Sequence, residues 1–368
     1  MTELRTTVLY PEHEELGASF TDFGGWLMPV RYTSDLAEHH AVREAAGLFD
    51  ISHMAEFTVE GPQASEYLDY ALGGRLSTMS VGRAKYSLLL AEDGGVIDDV
   101  IAYRMAENSY LIISNAGNHD AVAQALPARA ENFDVTVTDH SDAYALIAIQ
   151  GPRAEEIMRA TESIGDLSTP WNEQRYYAWS SGTFQGHDVI IARTGYTGED
   201  GFELLIPTAG ARALWRELLA TGAPLGLVAS GLAARDTLRL EAGMPLYGHE
   251  LSRTIRPAQA RLERTVAADK DLFIGKDAVT PDAGARVLVG LTAEGRRAGR
   301  AGYAILDAEG TTVGEITSGV LSPTLGYPIA MAMVDPAHAA PDTALFIDIR
   351  GKAIPATITT LPFYRRKK

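Results

Sequence analysis

The chain of 368 residues contains no cysteine. That absence excludes disulfides, thiolate metal sites, iron–sulfur ligation and a cysteine nucleophile together. A surplus of cations is also missing: 32 Lys and Arg stand against 48 Asp and Glu, a formal net charge of −16. Neutralising nucleic-acid phosphates needs a clustered basic excess, so no nucleic-acid partner is expected. The basic end Tyr364-Arg365-Arg366-Lys367-Lys368 is the exception, read either as a solvated terminus or as a dock for an acidic partner or ligand. Long hydrophobic runs are lacking. The most apolar short ones, such as 144–149, fall far below the ~20 residues that span a bilayer, so no membrane association is expected. The opening MTELRTTVLYPEHEELG has neither a basic region leading into an apolar stretch nor an Arg-rich, acid-poor composition, which predicts a cytoplasmic protein.

The familiar ligand-binding spacings are absent too. His39 and His40 are adjacent, so they point about 100° apart on a helix, and with His53 they lack the i, i+4 spacing of a zinc helix. The acidic turn Glu92-Asp93-Gly94-Gly95 has no alternating ligands and no terminal Glu, which excludes an EF-hand type calcium loop. No dinucleotide fingerprint follows a strand and no P-loop is present. Neither a metal, a flavin nor a nucleotide is expected.

What the chain does contain is enough length for two or three domains. Ser34 caps a predicted helix with Leu36, His40, Ala41, Val42 and Ala45 on one face, stopped by Gly47. The period then changes: 55–60, 84–90, 96–103 and 110–113 read as strands, with a helix in GPQASEYLDYALGG. A second set follows, with a strand from Tyr144, a helix over 153–160, a hairpin of 187–194 and 202–206, and helices over 209–220 and 229–242. Strands and helices mixed without strict alternation predict α+β layers rather than a doubly wound sheet. After about Pro281, short strands at close spacing with Gly and Pro turns predict an all-β barrel or roll.

Several polar residues sit where packing alone would not want them. Asp98 and Asp99 interrupt an apolar strand after a Gly-Gly turn. Alternation puts Asp99 on the face of Ile97 and Ile101, and Asp98 on that of Val96 and Val100. A carboxylate there is either hydrogen-bonded and structural or has a function, because burying an unpaired charge is costly. Glu203 lies between Phe202 and Leu204 after the turn Gly198-Glu199-Asp200-Gly201, facing away from their core; it is a solvated edge glutamate, a partner of Arg235, or a ligand contact. Arg235 and Arg239 stand one helical turn apart and repel, so at least one needs a partner among Asp236, Glu241 and Glu203; Asp236 reads as structural.

Long motifs in a fixed order resolve these alternatives. FGGWLMPVRY (23–32), GLFDISHM (47–54), GGVIDDV (94–100), SNAGN (114–118), TGYTGEDGFELL (194–205), GLAARDTLRLEAGMPLYGHEL (231–251) and TSGVLSPTLG (317–326) cover nearly the whole chain. Together they resemble the aminomethyltransferase, or T protein, of the glycine cleavage system. The resemblance implies a three-domain cloverleaf around a folate channel, with two interleaved α/β subdomains of ferredoxin-like type and a C-terminal antiparallel β-barrel. Residues 1–280 would form the folate-binding region (about 1–52 with 141–280, and 53–140), and 281–368 the barrel.

The resemblance implies transfer of a one-carbon unit from the lipoyl arm of an H protein to tetrahydrofolate, in concert with the P and L proteins. It makes Asp99 the essential acid. Glu203 would meet the amino-pyrimidine edge of the pterin, whose two adjacent N–H donors suit a carboxylate at roughly 1.5–3 kcal/mol per charged hydrogen bond. Arg235, Tyr196, Asn115, Tyr86, Met54 and Tyr176 are the other site positions it implies, rings sandwiching the folate and Asn115 offering an amide; ordinary packing is the competing reading for each. A folate-dependent demethylase is the nearest alternative. Sarcosine or dimethylglycine oxidases carry a flavin domain, absent here, and the iron–sulfur accessory relative carries a Lys-Gly-Cys motif that a cysteine-free chain lacks. One stretch departs from the family: Ala260-Arg261-Leu262-Glu263-Arg264 stands where Ala-Gly-Leu-Gly-Trp is common, which bears on the local backbone turn.

Overall fold

The computed structural model describes residues 4–366; Lys367 and Lys368 of the basic tail, and the first three residues of the N-terminal stretch, lie outside them. The chain forms two compact units, one of residues 1–71, 75–87 and 100–235, the other of 72–74, 88–99 and 236–368. Among the described residues no helix is long and apolar enough to cross a membrane.

The first unit is built on a seven-stranded sheet in the order Ile164–Gly165, Trp179–Phe184, His187–Ala192, Gly201–Pro207, Tyr144–Gln150, Ala46–Asp50 and Leu227–Ala229. Its pairings are antiparallel except the last, where Leu227–Ala229 runs parallel to Ala46–Asp50. Alternation decides which side is core. Phe202, Leu204 and Ile206 point to one face and pack with Ile147, Ile149, Leu214, Trp215 and Leu218, all 0% exposed, so helices Ala154–Ala160 and Thr208–Gly222 cover that side. A five-stranded sheet has the order Ala84–Leu90, Val96–Ala106, Ser109–Ser114, Ala55–Glu60 and Thr136–Asp139.

The helix Asp35–Glu44 begins as expected, with Ser34 Oγ accepting from the Ala37 N–H, but its inward face is not the apolar one. Leu36 is 51% exposed, whereas Glu38, His39 and Val42 are buried. The reason is the Glu38 carboxylate, which accepts from the backbone N–H groups of Tyr32 (2.7 Å), Thr33 (2.9 Å) and Gly231 (2.9 Å). Three hydrogen bonds to a charged acceptor outweigh burial of one leucine. Gly47 does not stop this helix; it lies inside the strand Ala46–Asp50, where a Cβ would come within 2.5 Å of Val42 Cγ2.

Glu56, on the strand Ala55–Glu60, is fully buried, and neither carboxylate oxygen has a hydrogen-bond partner among the described residues. Burial, and then the charges of Asp139 and Asp142, raise its pKa well above the usual value. In the unfolded chain it ionises near pH ~4.3, so above that pH the folded state holds a proton that the unfolded state has released. Stability contributed by this group is complete below the unfolded pKa and declines as pH rises toward the folded one. Glu56→Gln is therefore expected to match the parent near pH 4 and to exceed it by about 1–3 kcal/mol at pH 8. Urea melts at the two pH values check this; an unchanged difference between them sinks it.

The second unit holds the barrel. Val287–Ala293, Pro328–Val334, Thr312–Leu321, Ala304–Leu306, Ala344–Ile349 and Lys352–Thr359 pair antiparallel in that order, and the last strand closes on the first. The all-β reading of the region after residue 281 is thus borne out as a closed barrel. Val289, Leu291, Ala330, Ala332, Leu345, Ile347 and Ile349 fill its interior. The alternate residues Leu288, Ile329 and Met331 pack outside against Leu240, Leu361 and Phe363, so these strands are apolar on both faces.

The motif TSGVLSPTLG has a structural account within this unit. Arg239, 1% exposed, binds Asp236 (2.7 Å), Glu250 (3.0 Å) and the Ser318 hydroxyl (2.8 Å). Glu241 accepts from Ser322 Oγ (2.5 Å) and from Thr324 N (3.0 Å) and Oγ1 (2.7 Å). A register shift between Ile316 and Ser318 accompanies these contacts. Arg239 is accordingly the paired member of the two repelling arginines, and Asp236 is structural.

Candidate functional site

Glu203 is held by strand register. Gly201–Pro207 lies between His187–Ala192 and Tyr144–Gln150, so it is an interior strand and not a solvated edge. Directly across from Glu203 are Ala192 on one side and Ala148 on the other. These small neighbours leave the carboxylate as the main group on that face. It is 8% exposed, and one oxygen, Oε2, accepts from Thr194 Oγ1 at 2.5 Å. Burial raises its pKa; the Thr194 bond and the positive charge of Arg235 oppose that shift.

Arg235 enters from the helix Leu232–Glu241. Gly231, just before it, has no room for a side chain, since a Cβ would lie 2.4 Å from the Val30 carbonyl. Its N–H is taken by Glu38, and one turn on Arg235 N bonds to Gly231 O at 3.1 Å. The guanidinium lies over the Tyr196 ring, 4.9 Å from its centroid, and Nη1 is buried with no hydrogen-bond partner among the described residues. Burial lowers the Arg235 pKa, against the favourable fields of Glu203 and Tyr196. A buried, incompletely satisfied guanidinium thus lies beside a buried carboxylate.

The loop bearing Tyr196 is fixed from below by Gln150, which is fully buried. Its Nε2 donates to the carbonyls of Thr194 (3.1 Å) and Phe202 (3.3 Å), and its Oε1 accepts from Thr197 Oγ1 (3.0 Å). This explains Gly195 in TGYTGEDG, where a Cβ would sit 2.0 Å from Gln150 Oε1, and part of the need for Gly201, where one would sit 2.5 Å from both Gln150 Nε2 and the Ile149 carbonyl oxygen. Arg43 secures the other side, donating to Thr197 O (2.7 Å) and Glu199 Oε1 (2.9 Å). Arg193 closes the loop's end, its Nη2 donating to both carboxylate oxygens of Asp200 at 2.7 and 2.8 Å.

Met54 follows a turn anchored by Asp50, which accepts from Thr7 Oγ1 (2.6 Å) and pairs with His13 Nε2 (2.8 Å). Its neighbour His53 is 4% exposed, edge-on to Phe23, with pKa lowered to about 4 by burial, so the imidazole is neutral at pH 7. Asn115 ends the strand Ser109–Ser114 and its carbonyl accepts from Asn118 N. Next to it, Ala116 packs with Trp26, Met28 and Leu232, so the FGGWLMP hairpin, SNAGN and the Arg235 helix share one small cluster. Tyr86 is partly buried on Ala84–Leu90. Tyr176 is 49% exposed and stacks edge-on against Tyr177 at 5.0 Å.

Asp99 belongs to the second unit. Both glycines before it are set by close backbone approach: a Cβ on Gly94 would lie 2.2 Å from Ala278 O, and one on Gly95 1.9 Å from Arg253 O. Val96 N then bonds to Ser252 O (3.1 Å) and Ile255 O (3.2 Å), fixing the strand's start. Asp98 is fully buried with Val96 and Val100, whereas Asp99 is on the partly exposed face. Tyr247 lies within the field of both carboxylates, and burial together with them raises its pKa.

The structure thus brings Glu203, Arg235 and Tyr196 together. It adds Thr194, Gln150, Tyr103, which is 3.1 Å from Thr194 Oγ1, Tyr177, within the field of Glu203, and His53, within that of Arg235, none of them selected from the sequence. Their signal in the sequence was faint: a Thr, a Tyr or a Gln in a strand is usually packing.

Residues 9–270 match the GCVT N-terminal domain and residues 286–365 the Glycine cleavage T-protein C-terminal barrel domain. The aminomethyltransferase of Cutibacterium acnes is 54% identical over 375 residues, covering 100% of both chains. That of Streptomyces avermitilis is 53% identical, covering 99% of this chain and 98% of the relative. The crystal structure of the glycine cleavage system aminomethyltransferase T from Bartonella henselae superposes with a TM-score of 0.90 at 38% identity, over 99% of this chain and 100% of that one. The chain belongs to the aminomethyltransferase family, the T proteins of the glycine cleavage system.

Proposed function

We propose that this aminomethyltransferase takes the methylene carbon from an S-aminomethyl-dihydrolipoyl arm of an H protein and passes it to tetrahydrofolate. The observation that carries the reading is the buried Glu203 carboxylate beside an incompletely satisfied Arg235 stacked on Tyr196. Such a group suits a flat heterocycle with adjacent N–H donors and a carbonyl acceptor, as a pterin has. Met54, Tyr86, Asn115 and Tyr176 complete the folate contacts in this reading.

The chemistry calls for a carboxylate. The S–CH2–NH2 carbon loses ammonia and becomes an electrophilic methylene, which a folate nitrogen attacks; closure by the second nitrogen expels the sulfur. Of the two N–H protons folate gives up, one leaves with ammonia and one returns to the thiol. Asp99 stabilises the developing cation and removes a proton from the attacking amine. The products are 5,10-methylenetetrahydrofolate, ammonia and dihydrolipoyl H protein, the last recycled by the L protein after loading by the P protein.

The test supplies purified chain with aminomethyl-loaded H protein and tetrahydrofolate, and follows ammonia and methylenetetrahydrofolate. Equal amounts of both are expected. Folate binding without turnover would move the assignment to a demethylase or a non-catalytic folate-binding protein.

A further inference from the structure

Glu203 is not held by Arg235 through a direct ion pair; it is held from behind. Thr194 Oγ1 donates its single proton to Glu203 Oε2 at 2.5 Å, and the same oxygen is 3.1 Å from Tyr103 Oη. With that proton committed, Thr194 accepts and Tyr103 donates. The three groups form a directed chain, Tyr103 O–H to Thr194 O–H to Glu203, and every member is buried: Tyr103 is 3%, Thr194 2% and Glu203 8% exposed. Thr194 is itself immobilised, its carbonyl accepting from Gln150.

We infer that Thr194 and Tyr103 are positioning residues for folate affinity, fixing the Glu203 carboxylate so that its remaining lone pairs face the pterin. This rests on the assignment of Glu203 to the folate contact. A carboxylate on a two-torsion stem reorients readily unless one oxygen is tied. A hydroxyl donor also favours the ionised form, the form able to accept two N–H donors at once. Tyr103 orders the hydroxyl: without it the Thr194 proton can rotate away from Glu203.

Thr194→Val, nearly isosteric and lacking the hydroxyl, is expected to weaken tetrahydrofolate binding by about 10- to 50-fold, measured calorimetrically on the full chain. Thr194→Ser restores the donor and is expected to recover most of the affinity. Tyr103→Phe should lose about 3- to 5-fold in the parent and nothing further in Thr194→Val, because its effect passes through the hydroxyl. The pH dependence separates positioning from packing. The groups acting on Glu203 are Thr194, Arg235, Tyr103 and Tyr177. Removing the Thr194 donor leaves burial less opposed, so the acid limb of folate affinity moves to higher pH in Thr194→Val and returns in Thr194→Ser.

Glu203→Gln is measured alongside. If it loses affinity while Thr194→Val and Tyr103→Phe do not, the positioning chain is overturned and the folate assignment stands. If Glu203→Gln binds folate as the parent does, both are overturned. An unshifted acid limb in a folded Thr194→Val protein reduces Thr194 to a packing residue.

Discussion

Asp99→Asn is expected to lower turnover by about 10²- to 10⁴-fold, the range for loss of a positioned general acid or base, while tetrahydrofolate still binds. The substitution keeps the size of the side chain and removes its charge and basicity. Its neighbour is the internal control. Asp98 is fully buried on the opposite face of the same strand, so Asp98→Asn should act mainly on stability. Single-turnover release of ammonia, with calorimetric folate binding on the same samples, separates the two. Retention of parental turnover within about ten-fold in Asp99→Asn would make that carboxylate structural.

Arg43→Leu is expected to cost about 3–5 kcal/mol of stability, the range for breaking a buried ion pair from one side. The Arg43 and Glu199 side chains are 5% and 4% exposed, so the stranded carboxylate has no recourse to water. Thr197 O loses its donor in the same step, and the loop carrying Tyr196 loosens with it. Arg43→Leu with Glu199→Leu should be less damaging than the single change, because an apolar pair replaces an orphaned charge. Urea midpoints of the two variants decide: a double variant no more stable than Arg43→Leu would show that the Thr197 contact, and not the ion pair, dominates.

The sequence carried those parts of this molecule that depend on local period. Alternation alone separated Asp98 from Asp99 and set Glu203 against Phe202 and Leu204, and the structure keeps both separations. The barrel was legible because short strands with Gly and Pro turns have few other ways to bury both faces. Hidden were the features that depend on residues distant in the chain. Glu38 reads as a surface glutamate until the Gly231 N–H, 193 positions on, is seen to need an acceptor. Gln150 and Tyr103 are illegible for the same reason, since they meet Thr194 from 44 and 91 positions away; Thr194 lies only nine positions from Glu203, but a threonine in a strand carries no mark of the bond it makes.

The departure at 260–264 is a case where local reading named the right place. Arg261 adopts φ +61°, left-handed backbone that an arginine occupies at a cost of about 1–2 kcal/mol. The turn persists nonetheless, with Leu262 N bonded to Pro257 O (2.8 Å) and Arg261 Nε to Leu288 O (3.2 Å).

Gln150 makes Gly195 and itself a single heritable character. The three atoms nearest a Cβ on Gly195 all belong to Gln150, so that glycine tolerates no methyl group while the side chain lies beneath it, and a shorter residue at 150 removes the donor that both ends of the loop share. Gly201 is closed twice over, since a Cβ there would also sit 2.5 Å from the Ile149 carbonyl oxygen whatever stands at 150. In lineages that retain this enzyme, Gly195 and Gln150 are expected to persist or to be exchanged together, and Gly201 to persist in either case.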